Sequence, residues 1–449
     1  MTTSEPNSNQ PILQVGGREE TTVGNYFVAN YPPFSVWNED RIHDLVRNRL
    51  DEVPDPGVPF GLYVHVPFCR RRCDFCYFRV YTGRDAKDVT RYLDAVIAEL
   101  ARYARHPRIQ GRKPRFVYFG GGTPSFLSVD QLRYLFTGLQ QHLPWDEAQE
   151  VTFECEPGTL DDEKIRTLSE LGVTRLSLGV ENFNPEILEL NNRAHRAKEI
   201  GLAYESARAA SFPQINIDLI AGMVGETEEN WQDCISKTRA LAPEAVTIYQ
   251  MEAPYNTTVF RNMKDGGEEV APVADWKTKR RWVDQAFAAL QEDGYRIGSA
   301  YTAVKSDDVS FLYRDGLWHG ADMLGLGVAS FSHLGGLHFQ NEHDLEPYAD
   351  RVEAGALPVH RGLSMSDDEK LIREFILQLK LGTVGTRYFQ DKFGVDVRTR
   401  FEAGLRQHAD HGWLSVDGET ITLSRAGLLR VDTLLPSFFL DAHRDKRYA

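Results

Sequence analysis

The sequence predicts an α/β fold: a partial (β/α)6 barrel with an N-terminal extension over residues 1–55 and a small helical, winged-helix-like domain over 363–449. Two observations predict it. Short β-branched runs alternate with amphipathic helical stretches between about residues 60 and 250, the pattern of a parallel sheet covered by helices. After about residue 364 the alternation gives way to helices followed by one hairpin.

The elements follow in order. GLYVHV (61–66), RFVYFGGG (115–122), VTFEC (151–155), RLSLGV (175–180), INIDLI (215–220) and AVTIYQ (245–250) are apolar runs bounded by Gly, Pro or polar turns, and each predicts a strand. Helices are expected over 88–105, 128–141, 161–171, 196–210 and 228–241, with Ser or Asp near several of their starts. Six such units make a TIM-type barrel that is partial rather than closed at eight, running with its C-terminal extension over 56–362 and carrying its site on the loops after the strands. Beyond it, SMSDDEKLIREFILQLKL (364–381) reads as a helix, and WLSVDGETITLS (413–424) as a hairpin turning at Asp417-Gly418.

Composition excludes several function classes. Lys plus Arg is 51 and Asp plus Glu is 65, a formal net charge of −14, which disfavours a broad grip on nucleic acid or anionic lipid. No apolar run approaches the ~18 residues of a membrane span. The first 25 residues are polar, lack an apolar h-region, resemble no secretory or transit peptide, and read as a loose tail. A cytoplasmic protein is expected, with the oligomeric state left open, a monomer included.

Of five cysteines, three fall within eight positions, Cys69, Cys73 and Cys76, in YVHVPFCRRRCDFCYF. Soft thiolates so spaced converge on iron–sulfur or zinc. A structural zinc site closes four positions, but Cys155 and Cys234 lie in separate elements. Three thiolates suit a [4Fe–4S] cluster with one iron open to a ligand. His65, on an alternating strand, reads as a packed histidine and not as a fourth ligand.

The motif Cys69-x3-Cys73-x2-Cys76, with Phe75 before the last cysteine and Gly120-Gly121-Gly122-Thr123-Pro124 after the next strand, resembles the radical S-adenosylmethionine (SAM) family. Glycines there let backbone approach a ligand closely. The likeness runs from about residue 24 to 440, includes NYPPFSVW (30–37), and is to the branch typified by oxygen-independent coproporphyrinogen III oxidase, which binds two SAM molecules. It implies that Tyr63, Gly121 and Glu154 contact a cluster-bound SAM with Phe331 beside it, and that Phe75, Gly122, Thr123, Arg193 and Asp218 surround the second.

Two departures refine this resemblance. Glu181, in SLGVENF, stands where the oxidase has glutamine, beside the second SAM as a further binding group or a base. The loop between Arg314-Asp315-Gly316-Leu317-Trp318-His319 and MLGLGVASFSH is shorter than the oxidase's and lacks its substrate-loop motif, which points away from tetrapyrrole decarboxylation. CYFRVYTG (76–83) and LNNRAH (190–195) look closer to class C radical SAM methyltransferases and cyclopropanases. That likeness implies transfer of a SAM-derived methylene to an sp² carbon of an unsaturated or aromatic natural-product precursor, with electrons from a flavodoxin or ferredoxin. Tyr301, Tyr249, His319 and His333 are polar groups at strand ends or loops that could move a proton, and Glu181, Tyr301 and His319 are the catalytic candidates. The alternatives are a coproporphyrinogen oxidase-like decarboxylase and a haem or cluster carrier of the same fold.

Overall fold

In the computed structural model, residues 19–22, 24, 26–444 and 446 are described. The loose tail expected over 1–25 falls largely outside that set, at 1–18, 23 and 25. The part inside it is not loose. Thr22 and Gly24 bridge antiparallel to Val270 and Ala253, and buried Lys279 donates to Thr21 Oγ1 and Met251 O. An extended segment has no backbone partners of its own and finds them on this neighbour.

After α1 (Ile42–Asp51) the chain enters β1 (Phe60–Val66), α2 (Ala86–Tyr103), β2 (Phe116–Gly121), α3 (Val129–His142), β3 (Glu150–Cys155), α4 (Asp162–Glu170) and β4 (Arg175–Glu181). It continues through α5 (Pro185–Leu190), α6 (Ala197–Ala209), β5 (Gln214–Ala221), α7 (Glu228–Leu241) and β6 (Ala245–Gln250). The caps are those of the sequence reading: Asp85 accepts from the amides of Lys87 and Asp88, and Ser128 forms a capping box with Gln131. Strands β1 to β6 lie side by side, parallel and in chain order, so the expected α/β partial barrel is present. Along the strands, residues packed into the core such as Leu62, Val64, Val117, Phe119, Phe153 and Ile217 are apolar, while those alternating with them, His65, Glu154, Ser177, Asn216 and Asp218, are polar and line the site.

The sheet is wider than six strands. Beyond α8 (Thr258–Gly266) and α9 (Trp276–Glu292), β7 (Arg296–Ile297) and β8 (Thr302–Val304) extend it antiparallel past β6. After α10 (Leu312–Trp318), β9 (Asp322–Leu326) adds parallel to β1, and β10 (Phe331–Leu334), β11 (Leu337–Asn341) and, beyond α11 (Leu345–Glu353), β12 (Val359–Ser364) follow antiparallel. The glycines and serines of 323–335 mask this strand signal.

A second core gathers α12 (Asp367–Leu379), β13 (Thr383–Gly385), α13 (Thr386–Phe393), α14 (Val397–Arg400), α15 (Glu402–Asp410), β14 (Leu414–Asp417) and β15 (Thr420–Leu423). The expected hairpin is there, with Asp417 pairing Thr420, so the two-residue turn is Gly418-Glu419, one position later than read; Gly418 supplies its positive φ of 56°. Strand β13 completes a three-stranded sheet. Val28 and Tyr31 are buried in this same core.

Candidate cofactor site at the strand ends

Residues 67–83 connect β1 to α2 and carry the three cysteines, none in a disulfide. The loop is pinned from several sides. Cys69 N donates to Tyr81 O, Asp74 N to Asn191 O, and Thr258 and Val259 amides to Asp74 O. Arg72 donates to the carbonyls of Cys76 and Asn256. The thiols face donors, Thr123 Oγ1 at 3.4 Å from Cys69 Sγ and Arg193 Nη1 at 3.2 Å from Cys73 Sγ. Burial raises the Cys69 and Cys76 thiols to about 12 and about 11. Cys234 is engaged elsewhere, its thiol donating to Asn182 Oδ1.

All three cysteines line a cavity of about 1580 Å³ above the sheet. Backbone shapes one wall: Gly121 has φ of 116°, and a Cβ on Gly122 would stand 2.9 Å from Phe68 O. On β3, Glu154 accepts from Tyr118 Oη at 2.5 Å and Gly121 N at 3.1 Å. On β5, Asp218 accepts from Ser177 Oγ and Asn216 Nδ2. A register shift between Gly179 and Glu181, with φ of 62° at Glu181, re-aims the end of β4, a role typical of bulges near sites. Arg193 lies 3.5 Å from Glu181 and donates to Gly179 O at 2.7 Å.

Burial lifts the Glu154 and Glu181 carboxyls to about 7, with the Asp218 carboxylate raising both and the Glu154 carboxylate raising Glu181 further. Glu252, on the same cavity, is likewise raised to about 7 by burial. A ligand bearing an ammonium and a sulfonium relieves this cluster, and His65 Nε2 and Arg193 Nε, buried without partners, offer further contacts. Three unbridged thiols, a glycine wall and convergent carboxylates fit a cluster with SAM.

The structure brings together on one cavity Tyr63, Cys69, Cys73, Phe75, Cys76, Gly121, Gly122, Thr123, Glu154, Glu181, Arg193, Asp218, Tyr249, Tyr301 and Phe331. His319 and His333 are not among its lining residues. The His319 ring is exposed at the end of α10, pairing with Asp315 O and packing on Tyr388, because the helix turns it outward; this corrects its placement at the site. His333 is buried against His338. Tyr301 donates to Asp432 instead of standing free. The sequence reading missed Tyr118, two positions before Gly120 on one strand face, and the residues of 403–444 that wall the cavity, Trp413 and Arg430 among them, whose place depends on how the second core docks.

The radical SAM superfamily model matches residues 63–237. The oxygen-independent coproporphyrinogen III oxidase of Pseudomonas aeruginosa is 29% identical over 432 residues, 91% of this chain and 92% of the relative. The heme chaperone HemW of Bacillus subtilis is 26% identical over 84% of this chain and 98% of its own length. The solved structure of coproporphyrinogen III oxidase (HemN) from Escherichia coli superposes with a TM-score of 0.81 at 23% identity, covering 93% of this chain and 99% of that one. These likenesses overturn the methylene-transfer reading. It rested on two short segments and a shortened loop, whereas the likeness to the oxidases extends over nine-tenths of the chain.

Proposed function

We propose, from the premise that this chain is a member of the radical SAM superfamily, that it is an oxygen-independent oxidase of the coproporphyrinogen type, removing CO2 from propionate side chains of a reduced tetrapyrrole. The single observation carrying this reading is the likeness to coproporphyrinogen III oxidase over 91% of the chain. The cavity supports it. At about 1580 Å³ it has room for two SAM molecules and a macrocycle, and aromatic rings furnish it, Tyr77 and Tyr249 leaving 45% and 43% of their surfaces uncovered there. Two lining arginines from separate parts of the chain, Arg361, donating to Gln340 Oε1 and Phe34 O, and Arg430, donating to Ala426 O, form no ion pair among the described residues, whereas Arg175, stacked on Phe311, already acts on the carboxyls of Glu150, Glu154 and Asp218. Unpaired guanidinium forks in a chain of charge −14 suit a ligand with several carboxylates.

Cys69, Cys73 and Cys76 would hold the [4Fe–4S] cluster. Tyr63, Gly121, Glu154 and Phe331 would hold one SAM, and Phe75, Gly122, Thr123, Glu181, Arg193 and Asp218 the second. When bound, cluster and SAM supply reductive cleavage and hydrogen abstraction. The chain's own residues orient these groups and exclude water. Glu154 and Asp218 accept from ammonium or ribose hydroxyls, Arg193 spans Cys73 and Gly179 so that its position tracks the cluster loop, and the Tyr301–Asp432 pair can move a proton at the phenol oxygen. Electrons would come from a reduced flavodoxin or ferredoxin.

The test is anaerobic incubation of iron- and sulfide-reconstituted protein with SAM, a low-potential reductant and coproporphyrinogen III. Substrate-dependent CO2 together with 5′-deoxyadenosine is the expected result. SAM cleavage without CO2 rejects the substrate, and haem retention with no SAM cleavage replaces the enzyme by a carrier.

A further inference from the structure

Outside the cysteine site, one cluster of donor atoms among the described residues stands where the sheet turns from β11 to β12. Glu342 follows β11 directly, His343 comes next, and His360 is the second residue of β12. Their donor atoms all lie within 4.8 Å of one another. We propose that Glu342, His343 and His360 bind a divalent transition-metal ion of the zinc class, at a site separate from the cluster.

The geometry is close to what such an ion needs. His360 Nδ1 is 3.4 Å from Glu342 Oε2. Zinc bonds of about 2.0–2.1 Å at a tetrahedral angle put neighbouring ligand atoms roughly 3.3 Å apart, so this pair already has the separation of two ligands on one ion. The imidazoles of His343 and His360 lie 5.0 Å apart, centroid to centroid, and are half exposed, which leaves their rings room to turn toward a shared ion.

The surroundings orient the ligands as outer-shell groups do at metal centres. His343 Nε2 faces Asp344 Oδ2 at 3.3 Å, which leaves Nδ1 as its ligand atom. Asp344 is held in turn by Arg79 of the cysteine loop. The other oxygen of Glu342 pairs with Arg351, which turns Oε2 toward His360. The backbone at Glu342 is fixed on both sides, its N–H donating to Pro358 O and its carbonyl accepting from Ala329 N. Two imidazoles and one carboxylate are a borderline donor set, suited to zinc and its neighbours and not to calcium or magnesium. The ion would join the end of β11 to the start of β12 beside the cavity, which His343 lines, through a residue pair that also grips the cysteine loop.

Zinc added anaerobically to the cluster-loaded full chain and followed by desalting tests this. The expected result is one equivalent of zinc per chain by elemental analysis, with iron content and cluster absorbance unchanged. The double variant His343→Gln/His360→Gln, whose side chains are exposed, should keep the circular dichroism and iron of the parent and lose that equivalent. No zinc above the parent background, or equal zinc in parent and variant, overturns the proposal. Neither readout depends on the tetrapyrrole reading.

Discussion

Glu99 and Glu154 are both carboxyls raised to about 7 by burial, yet they sit in opposite kinds of place. Glu99, on α2, is fully buried and its oxygens are met by Tyr348 Oη at 2.6 Å, Asn341 Nδ2 at 2.6 Å and Gly327 N at 2.8 Å, so that it ties the helix to β11, α11 and the end of β9. Glu154 has two donors and looks into a cavity shared with Glu181 and Asp218. The same displaced titration marks a closed structural knot in one region and a site built for a cation in the other. What separates them is what faces the carboxyl, not the size of the shift.

The comparison can be broken by experiment. The largest effect belongs to the cavity side. Cys76→Ala should abolish cluster retention and SAM cleavage to background, measured as bound iron and 5′-deoxyadenosine. Glu154→Gln should weaken SAM about 10- to 100-fold, the worth of about one charge-assisted hydrogen bond, while shifting the thermal midpoint little. Glu99→Ala should do the reverse, costing about 3 kcal/mol in urea unfolding because buried donors lose their acceptor.

The two carboxyls share one sign in stability against pH and differ in what ligand binding adds. Each folded-state value lies above the ordinary 4.5, so each contributes stability that is full below about 4.5 and lost as pH rises through about 7. Glu99→Gln should flatten stability against pH between those values. A cation, however, binds the ionised Glu154, so SAM affinity should fall by up to about tenfold per unit as pH drops below 7, and Glu154→Gln should remove that slope. The smallest effect is at His319, where His319→Gln should change SAM cleavage less than about twofold, as a surface substitution away from the cavity does.

The six parallel strands and their helices were legible because apolar runs, Gly and Pro boundaries and Asp or Ser caps all agree locally. Strands β9 to β11 were not, since Gly325, Gly327 and Gly335 dilute the pattern and their pairing is set by β1 and β12, distant in sequence. At the site, cysteine spacing and the glycine run gave the cluster loop, and the carboxylates Glu154 and Asp218 were named by the family resemblance, with which their places on predicted strands agree. Glu252, Tyr118 and Arg430 were hidden because their role depends on which surfaces converge. His319 looked suitable by type, and only the direction of α10 removes it.

The contact between Val28 and Asp432 spans 404 positions, and Tyr31 reaches Leu440 and His443 across a similar distance. The cysteine loop and its neighbours up to Arg193 emerge from the ribosome long before that wall has its second half. The lining supplied by residues 403–444 is therefore the last part of the cavity to be made. The side of the cavity that carries the cysteines and the side that faces it are thus distant in sequence, and only docking of the second core brings the two together.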